Sequence, residues 1–507
     1  MSRARRFVQS LATGYLLIGV NTIHTLVSVP LALHYLSREQ FGLWALVMQI
    51  SGYLALIDLG MAGSIARILI DHKDSAADGT YGAVIKTGLL VLLVQGLIIA
   101  LGGSLLSLWL PDLFDVPTLH RREFQILIAG QCIVMGLLFV GRMFGHVLLA
   151  HQRFDAMNYS QAAGLLVSLT SMWLGFVWGW GVYSLLFAYA ASTLFTTLAS
   201  QLAAIGLRLF PAGATRGHPN VKIFRELFAY GREIFLISVG WQLVNASQIL
   251  VVSRTLGLEA VAVWSIATKP FSLAQQVIYR VFDFSAIGLA EMLVRRERER
   301  LLLRFRDIVI LSGSFAAWVA LSVGLWNQSF LDLWTRGRIS WADSSNWLMA
   351  LLTVSYSITR CSIGFVNVTK QICSMKYIYP LEGLAFILLS FAVAPFLGLS
   401  GVILSALITN ILFSGAYGFW RTSKFFGTTE FETAALWLSR PIQCLSLLVV
   451  TFGAIAWVCR EWRPSVRLPL EMAASLSLGV QIFWRLGLTP QLRSEAKQLL
   501  ARIRARP

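Results

Sequence analysis

Long apolar runs separated by short polar stretches cover almost the whole chain. A helix needs about 20 apolar residues to cross a hydrocarbon core of about 30 Å, and it satisfies its backbone hydrogen bonds internally, as lipid requires. The short alternating segments of a transmembrane barrel are not apparent. The pattern predicts an all-α polytopic membrane protein of about fourteen spans, near residues 11–33, 40–70, 81–110, 124–149, 160–179, 181–207, 229–254, 258–291, 306–333, 343–369, 375–397, 399–420, 440–459 and 468–486.

The first apolar run follows Arg3, Arg5 and Arg6, as the apolar core of a secretory signal peptide would. It is long, is interrupted by Asn21 and His24, and lacks a small-x-small cleavage site. We therefore interpret it as a retained first span.

The basic residues between the spans predict the orientation of the chain. Of the 42 lysines and arginines, 29 fall in the segments on the side of the N-terminus and nine in the opposite loops. Because basic residues accumulate in cytoplasmic loops, both termini are expected in the cytoplasm. This bias also accounts for most of the net charge of +17, so we expect contact with anionic lipid headgroups and no nucleic-acid partner.

The two halves of the chain resemble each other at a nearly constant offset. "YLSREQFGLWAL" at 35–46 matches "TLGLEAVAVWSI" at 255–266, and "GHVLLAHQ" at 145–152 matches "GFVNVTKQ" at 364–371, offsets of 220 and 219. Six spans per repeat is an even number, so the halves have the same orientation, and a substrate site is expected between them. The predicted organisation is an N-lobe at 1–210, a cytoplasmic linker at 211–228, a C-lobe at 229–422, and two further helices with a basic tail at 423–507.

Composition adds that 56% of the residues are hydrophobic and only 13% are charged. The five cysteines are scattered without any CxxC pair, which favours free thiols over disulfides or metal ligation. His24 and His146 have no partners at metal-ligand spacing, so neither a metal nor another cofactor is expected.

Four basic residues remain deep inside predicted spans: Arg142, Lys269, Arg280 and Arg360. A charge at the centre of a span costs about 2.5 to 3.5 kcal/mol on insertion scales, so such residues normally face a cavity or a partner. We expect these four to bind substrate in a water-accessible central cavity.

Placing residues at 100° intervals gives five helices a polar stripe. Lys269 and Arg280 lie eleven residues apart, within about 20° of one helical face. The supporting polar residues of the predicted cavity are Asn21, His24, Gln242, Asn245, Gln276 and Asn367, and the stripes also include Thr25, Ser28, Gln131, His146, Ser238, Ser265, Ser272, Thr353 and Ser357.

Acidic residues allow an alternative to the cavity for some of these cations. Arg280 and Asp283 have the spacing of an intrahelical ion pair, and Asp58 is placed to neutralise another of the four cations. Both acids are also candidates for ion coupling. Pro270 should kink its span, either as a packing bend or as a gating hinge.

Arginine grips phosphate bidentately and lysine acts as a point charge, so this set of cations favours an anionic, phosphate-containing substrate. An exporter of organic cations would need carboxylates in the cavity instead, and the candidates are Asp58, Asp283 and Glu382.

The stretch "VSVPLALHYLSREQFGLWALVMQISGYLALIDLGMAGSIARIL" at 27–69 resembles the opening motif of one transporter family: a proline in the first span, a short "YLSREQFGLW" turn, then "LIDLGM" and a following arginine, Arg67. That family is the polysaccharide-transporter branch of the multidrug/oligosaccharidyl-lipid/polysaccharide exporter superfamily, the O-antigen and exopolysaccharide repeat-unit flippases. Beyond residue 70 the likeness is architectural.

The resemblance implies two six-helix lobes that move an undecaprenyl-diphosphate-linked oligosaccharide from the inner to the outer leaflet of the bacterial plasma membrane by alternating access. By analogy with the family's cationic lumen, Arg142, Lys269, Arg280 and Arg360 would hold the diphosphate and the adjacent sugar. Further expected partners are the lipid bilayer and the polysaccharide polymerase machinery, and a monomer is favoured.

Two rival interpretations stay open at this stage. A cation-coupled multidrug antiporter of the same fold would depend on Asp58 or Asp283 and tolerate loss of Arg142 and Arg360. A membrane polysaccharide polymerase or glycosyltransferase usually carries a sizeable extramembrane segment, and the longest outer loop, "PDLFDVPTLHRRE", is too short to form one. We therefore expect a transporter and not an enzyme.

Overall fold

The computed structural model describes residues 3–72, 79–211, 217–369 and 374–504. Every regular element in these ranges is helical, which confirms the all-α prediction. Cys373 lies outside the described residues, and the other four cysteines are buried free thiols.

Eleven helical stretches among the described residues are long and apolar enough to cross a membrane. Two of them, Ser238–Leu293 and Met375–Phe426, have 56 and 52 residues, more than twice what one crossing requires. The protein is therefore a multi-pass membrane protein, while the number of fourteen spans stays a prediction.

The chain divides into two compact units, Met1–Ala262 and Val263–Pro507. In the first unit, two 3₁₀ turns at Ala55–Asp58 and Thr118–His120 separate some of the helices. The helices are α1 Arg3–Tyr35, α2 Arg38–Leu54, α3 Met61–His72, α4 Thr80–Leu106, α5 Leu110–Leu113, α6 Arg121–Ala150, α7 Phe154–Val177, α8 Tyr183–Gly206 and α9 Val221–Ala267, whose last residues pass into the second unit.

The second unit is also entirely helical in its described residues and contains two short π-helical segments, Ile411–Gly415 and Phe483–Gly487. Its helices are α10 Lys269–Val294, α11 Arg298–Trp334, α12 Asp343–Val368, α13 Met375–Asn410, α14 Ala416–Phe426, α15 Glu430–Val458, α16 Pro464–Ile482 and α17 Pro490–Arg504. The lobe boundaries expected from the repeat stay a prediction.

Turns between successive spans fall at related positions in the two halves. Gly179 (φ 78°) lies between α7 and α8, and Gly398 (φ 58°), 219 residues later, interrupts α13. Only glycine adopts such backbone angles without steric cost. The sharp reversals thus follow the same offset as the matching sequence segments.

Close backbone approach holds the first unit together around α6. A Cβ atom added to Gly96 of α4 would lie 2.6 Å from the carbonyl oxygen of Gly136 in α6, and one added to Gly136 would lie 2.7 Å from the carbonyl oxygen of Gly96. Small residues serve this purpose in membranes because lipid tails provide no hydrophobic drive for helix association, and packing must supply the attraction.

In the second unit, α11 is the central helix and packs against α10, α12, α15 and α16. Ala316, Ala317 and Ala320 are fully buried there. At the interface with α16, the carboxylate of the fully buried Glu471 accepts hydrogen bonds from Ser329 Oγ (2.8 Å) and Arg467 Nε (2.7 Å). A buried carboxylate with these partners fixes the register of α16 on α11.

We expect Gly96→Leu to lower the free energy of unfolding by about 1–3 kcal/mol, because the new side chain would force α4 away from α6. Gly102 on the same helix has open space around it, so Gly102→Leu is the matched control and should leave stability unchanged. Thermal unfolding of both purified variants tests this, and equal unfolding temperatures would contradict it.

Candidate functional site

The second predicted span is broken in the first unit. The helix α2 ends at Leu54, a 3₁₀ turn runs from Ala55 to Asp58, and α3 starts at Met61. Between them Leu59 (φ 49°) and Gly60 (φ 74°) are left-handed, a conformation that is uncommon for leucine. Strained backbone of this kind clusters at functional sites, and broken helices in transporters bind ions and substrates.

Asp58 and Gln95 satisfy the polar groups that this break leaves free. The two Asp58 carboxylate oxygens accept the backbone N–H of Ala62 at 3.2 and 3.1 Å, in the first turn of α3. The Gln95 side chain of α4 donates to the carbonyls of Ile57 and Asp58 at 3.0 and 2.9 Å. The break is thus a defined structure that places a carboxylate at a helix N-terminus.

Glycines allow α9 to cover the break. A Cβ on Gly60 would lie 2.3 Å from the carbonyl oxygen of Gly231, and one on Gly231 would lie 2.9 Å from that of Leu59. The "LGM" part of the opening motif is therefore needed both for the left-handed turn and for this contact.

Arg142 of α6 lies beside the break. Its Nη1 lies 3.5 Å from Asp58 Oδ1, and its guanidinium lies 4.2 Å from the centre of the Phe139 ring. The side chains of Arg142 and Asp58 are 29% and 16% exposed. Arg142 therefore has a carboxylate partner on a neighbouring segment and retains access from outside the unit's core.

Arg360 of α12 has the corresponding arrangement in the second unit. Its Nη2 donates to Asp283 Oδ1 of α10 at 2.9 Å, and its guanidinium lies 5.4 Å from the centre of the Tyr279 ring. Asp283 therefore pairs with Arg360 in the structure, and not with Arg280, whose spacing along the chain suggested a pair.

The predicted polar stripe of span eight lies on one side of α10. Lys269, Ser272, Gln276 and Arg280 are all exposed. Among the residues that the structure describes, Arg280 has no ion-pair partner. Whether this exposed face binds substrate stays a prediction.

Pro270 is buried in the first turn of α10, where its missing N–H breaks no helical hydrogen bond. Thr268 is the one residue between α9 and α10, and the helical hydrogen-bond pattern is interrupted there although its backbone angles stay right-handed helical. Asn327 of α11 donates to the carbonyl of Ala267 at 3.2 Å, which satisfies one acceptor that the interruption leaves free. The hinge role of Pro270 is not tested by this geometry and stays a prediction.

The supporting polar residues have separate surroundings. His24 Nε2 of α1 lies 3.3 Å from Ser168 Oγ of α7, and Asn21 is half-buried. Gln242 of α9 approaches Gly52 of α2. Asn367 is exposed near the end of α12, and the side chain of Asn245 lies outside the described residues.

Some features of this geometry were not predicted. The motif arginine, Arg67, is exposed and pairs with Asp71 on its own helix, at 3.3 Å. Glu382 is buried in α13, where its carboxylate accepts from the backbone N–H of Ser414 (3.2 Å) and from Asn410 Nδ2 (3.4 Å). In the sequence, this buried carboxylate is indicated by two polar residues within apolar runs on either side of Gly398, Glu382 and Asn410.

Asp58 can be tested as a cap independently of its charge. Asp58→Asn keeps an oxygen that accepts the Ala62 N–H, whereas Asp58→Ala removes it. We expect Asp58→Ala to be less stable than Asp58→Asn by about 0.5–2 kcal/mol. Thermal unfolding of the two purified variants measures the difference, and identical unfolding temperatures would show that the carboxylate does not cap α3.

Solved transporters share this fold at low sequence identity. The structure titled lipid II flippase MurJ, inward closed conformation, matches with a TM-score of 0.71 and 12% identity over 94% of this chain and 99% of that one. An inward-facing multidrug resistance MATE family transporter of the MOP superfamily matches with a TM-score of 0.66 and 13% identity, over 80% of this chain and 96% of that one.

A third similar structure is a MOP superfamily transporter from Pyrococcus furiosus, described as having a binding pocket of reverse polarity. It has a TM-score of 0.51 and 14% identity, over 85% of this chain and 96% of that one. No curated protein matches the chain. These likenesses establish the fold.

Family membership rests on the sequence itself. The family described as polysaccharide biosynthesis protein matches residues 8–284, which include the opening motif and the Asp58 and Arg142 positions. Since the match covers more than half of the 507 residues, the chain belongs to the polysaccharide biosynthesis protein family, the polysaccharide-transporter branch that its opening motif resembles.

Proposed function

We propose that this protein is a flippase that moves an undecaprenyl-diphosphate-linked oligosaccharide from the inner to the outer leaflet of the bacterial plasma membrane by alternating access. The observation that carries the proposal is that each unit contains a partly exposed arginine held by a single aspartate of a neighbouring segment, Arg142 by Asp58 and Arg360 by Asp283. Membership of a polysaccharide biosynthesis family and the transporter fold support it.

An arginine held in this way is suited to binding a phosphate group. In the empty protein the carboxylate offsets the cost of keeping a guanidinium among apolar helices. A diphosphate offers more acceptor oxygens in the geometry that the guanidinium matches bidentately, so it competes with the aspartate for the same N–H groups. The arginine thus exchanges one anion for another and is never left uncompensated.

The same pairing bears on the electrical cost of moving the site outward. Each unpaired cation that moved outward with the loaded site would be opposed by about 2.3 kcal/mol per 100 mV of inside-negative potential. Asp58 and Asp283 compensate the charges of two of the four cations, Arg142 and Arg360. Within the described residues, the charges of Lys269 and Arg280 stay uncompensated. A loaded site carries the negative charge of the diphosphate, whose outward movement the potential favours.

The remaining parts of the proposal follow from the sequence. We propose that Lys269 and Arg280 contact the diphosphate or the adjacent sugar, with Asn21, His24, Gln242, Asn245, Gln276 and Asn367 as supporting polar groups. Both termini are placed in the cytoplasm by the charge bias, and the polysaccharide polymerase machinery is the partner that would use the exported unit. O-antigen and exopolysaccharide repeat units are the substrates that the family resemblance suggests.

The central test is translocation by Arg142→Ala and Arg360→Ala. We expect each variant to insert normally and to lower the appearance of lipid-linked glycan on the outer leaflet at least tenfold, because a charge-assisted bidentate contact of about 1.5–3 kcal/mol is lost. Lectin binding to intact spheroplasts measures this glycan. Arg122→Ala on α6 and Arg338→Ala, both exposed arginines, are the controls.

If Arg142→Ala or Arg360→Ala exposed glycan at the wild-type rate, the proposed role of that arginine would be wrong. Deleting the gene should also cause the natural lipid-linked glycan to accumulate on the inner leaflet. That experiment identifies the sugar.

A second candidate function, a cation-coupled multidrug antiporter, is favoured by one observation. The carboxylate of Glu382 is buried, and its partners in the described structure are neutral groups, Asn410 and the Ser414 backbone. A buried carboxylate without a fixed cation is suited to binding a proton or a metal cation. A polymerase or glycosyltransferase has no corresponding support.

Asp283→Asn and Glu382→Gln distinguish the two candidates. For a flippase we expect both variants to translocate glycan, and Asp283→Asn to bind undecaprenyl diphosphate up to about fivefold more tightly, because the competing ion pair of about 0.2–1 kcal/mol is gone. Binding is measured by tryptophan fluorescence in detergent. Loss of translocation in both variants, with unchanged insertion, would favour the antiporter.

A further inference from the structure

One end of the second unit carries two adjoining cavities, of about 230 and 280 Å³, that share Met292. They lie where α10 ends, the chain turns at Arg295–Glu297, and α11 begins. The first is lined mainly by apolar residues, Gly288, Leu289, Met292, Ile308, Leu311 and Leu492, and also by Ser285, Arg304 and Asp307. The Asp307 carboxylate is already paired with Arg306 at 3.3 Å. The second includes Met292, Leu293, Arg296, Arg298, Leu301 and Phe425.

We propose that these two cavities, together the α10–α11 groove, bind one anionic phospholipid of the surrounding bilayer. The apolar first cavity takes acyl-chain carbon, and the arginines of the second take the headgroup phosphate. This site is separate from the proposed substrate-binding residues, and its existence does not depend on the transport function.

The charges around the second cavity favour an anion. Glu297, the carboxylate in its lining, is already paired with Arg300 at 3.1 Å. Arg298 donates one N–H to the carbonyl of Phe425 at 2.9 Å, which orients the guanidinium at the cavity rim. Within the described ranges Arg296 is exposed and has no carboxylate at ion-pair distance.

The backbone conformation of Arg296 also fixes this residue at the rim of the second cavity. Its φ of 58° is left-handed, which is uncommon for a residue other than glycine. A residue kept in such a conformation is held by its surroundings, here the turn that joins α10 to α11.

The last helix completes the apolar wall. Arg304 of α11 pairs with Glu495 of α17 at 3.0 Å, and Arg493 donates to the carbonyl of Leu488. These contacts place Leu492 in the groove lining. The hydrogen bond from Arg304 lowers the pKa of the Glu495 carboxyl, so the contact is complete above the usual pKa of glutamate and is lost only as the pH falls through the lowered value.

A phospholipid fits both halves of the groove better than its alternatives. Free phosphate would bind the arginines but would leave the apolar first cavity unfilled. A lipid without net negative charge would leave the charge of Arg296 uncompensated. The charge bias along the chain predicts this end to be cytoplasmic, where the arginines of "RRERERLLLRFR" meet the anionic headgroups of the inner leaflet.

Native mass spectrometry of the full-length protein, released from detergent with added lipid, tests the proposal. We expect phosphatidylglycerol to be retained over phosphatidylcholine by roughly thirtyfold, as the attraction of two arginines at about 1 kcal/mol each implies. The double variant Arg296→Gln/Arg298→Gln should lose this preference. Arg460→Gln/Arg463→Gln, two exposed arginines elsewhere in the unit, is the matched control and should keep it.

A second pair of variants tests the apolar half without changing any charge. Gly288 has open space around it, so Gly288→Leu fills the first cavity without a backbone clash, whereas Gly288→Ala leaves most of it free. We expect Gly288→Leu to lower phosphatidylglycerol retention about tenfold and Gly288→Ala to retain it.

Each of the following results would overturn the proposal: equal retention of the two phospholipids by the wild type, unchanged retention in both Arg296→Gln/Arg298→Gln and Gly288→Leu, or displacement of phosphatidylglycerol by inorganic phosphate. Displacement by undecaprenyl diphosphate at equal concentration would also overturn it, because the groove would then belong to the substrate path. Loss of transport in the arginine variants Arg142→Ala and Arg360→Ala has no bearing on any of these outcomes.

Discussion

A guanidinium among membrane-spanning helices needs an anion, and the structure of both units reflects this requirement. Arg142 and Arg360 each lie against an aspartate and an aromatic ring. In the first unit, the position of Asp58 depends on several features of the backbone. The span is broken there, two residues are left-handed, a glutamine donates to the freed carbonyls, and a glycine allows contact with α9. The pairing of one charge thus determines the course of the backbone over several residues.

Elsewhere in the molecule, the helices pack closely because the residues at their contacts are small. Gly96 and Gly136 bring α4 and α6 to backbone contact, and Ala316, Ala317 and Ala320 allow α11 to be surrounded by helices. In lipid this closeness is the main source of attraction between helices. The polar contacts then select register, as Glu471 does between α11 and α16.

Much of this architecture could be predicted from the sequence, since a helix in lipid is recognisable from its own residues. The apolar runs identified an all-helical membrane protein. The 3.6-residue period placed Lys269, Gln276 and Arg280 on one face of α10, where all three side chains are exposed. The opening motif identified the family correctly. Each of these inferences depends only on local sequence.

Partners could not be predicted in the same way, because they depend on which helices are neighbours. Asp283 stands three residues from Arg280, yet it bonds Arg360, 77 residues away, since α10 and α12 pack together. Pro270 is predicted to kink its span, and it lies in the first turn of α10, two residues after the single residue that separates α10 from α9. The sequence does not distinguish a kinked span from two successive helices. The break at Asp58 had a local signal, an aspartate two residues before a glycine, but only the contact with Gly231 explains it.

The two aspartates differ in what remains when their arginine leaves. Asp58 keeps the N–H of Ala62 and the N-terminus of α3, so removal of Arg142 leaves a carboxylate that is still solvated by the protein. Asp283 has no second hydrogen bond among the described residues. When its ion pair opens, the carboxylate of the first unit therefore keeps a hydrogen-bond partner within the protein, whereas the carboxylate of the second unit depends on solvent, since 32% of the Asp283 side chain is exposed against 16% of that of Asp58.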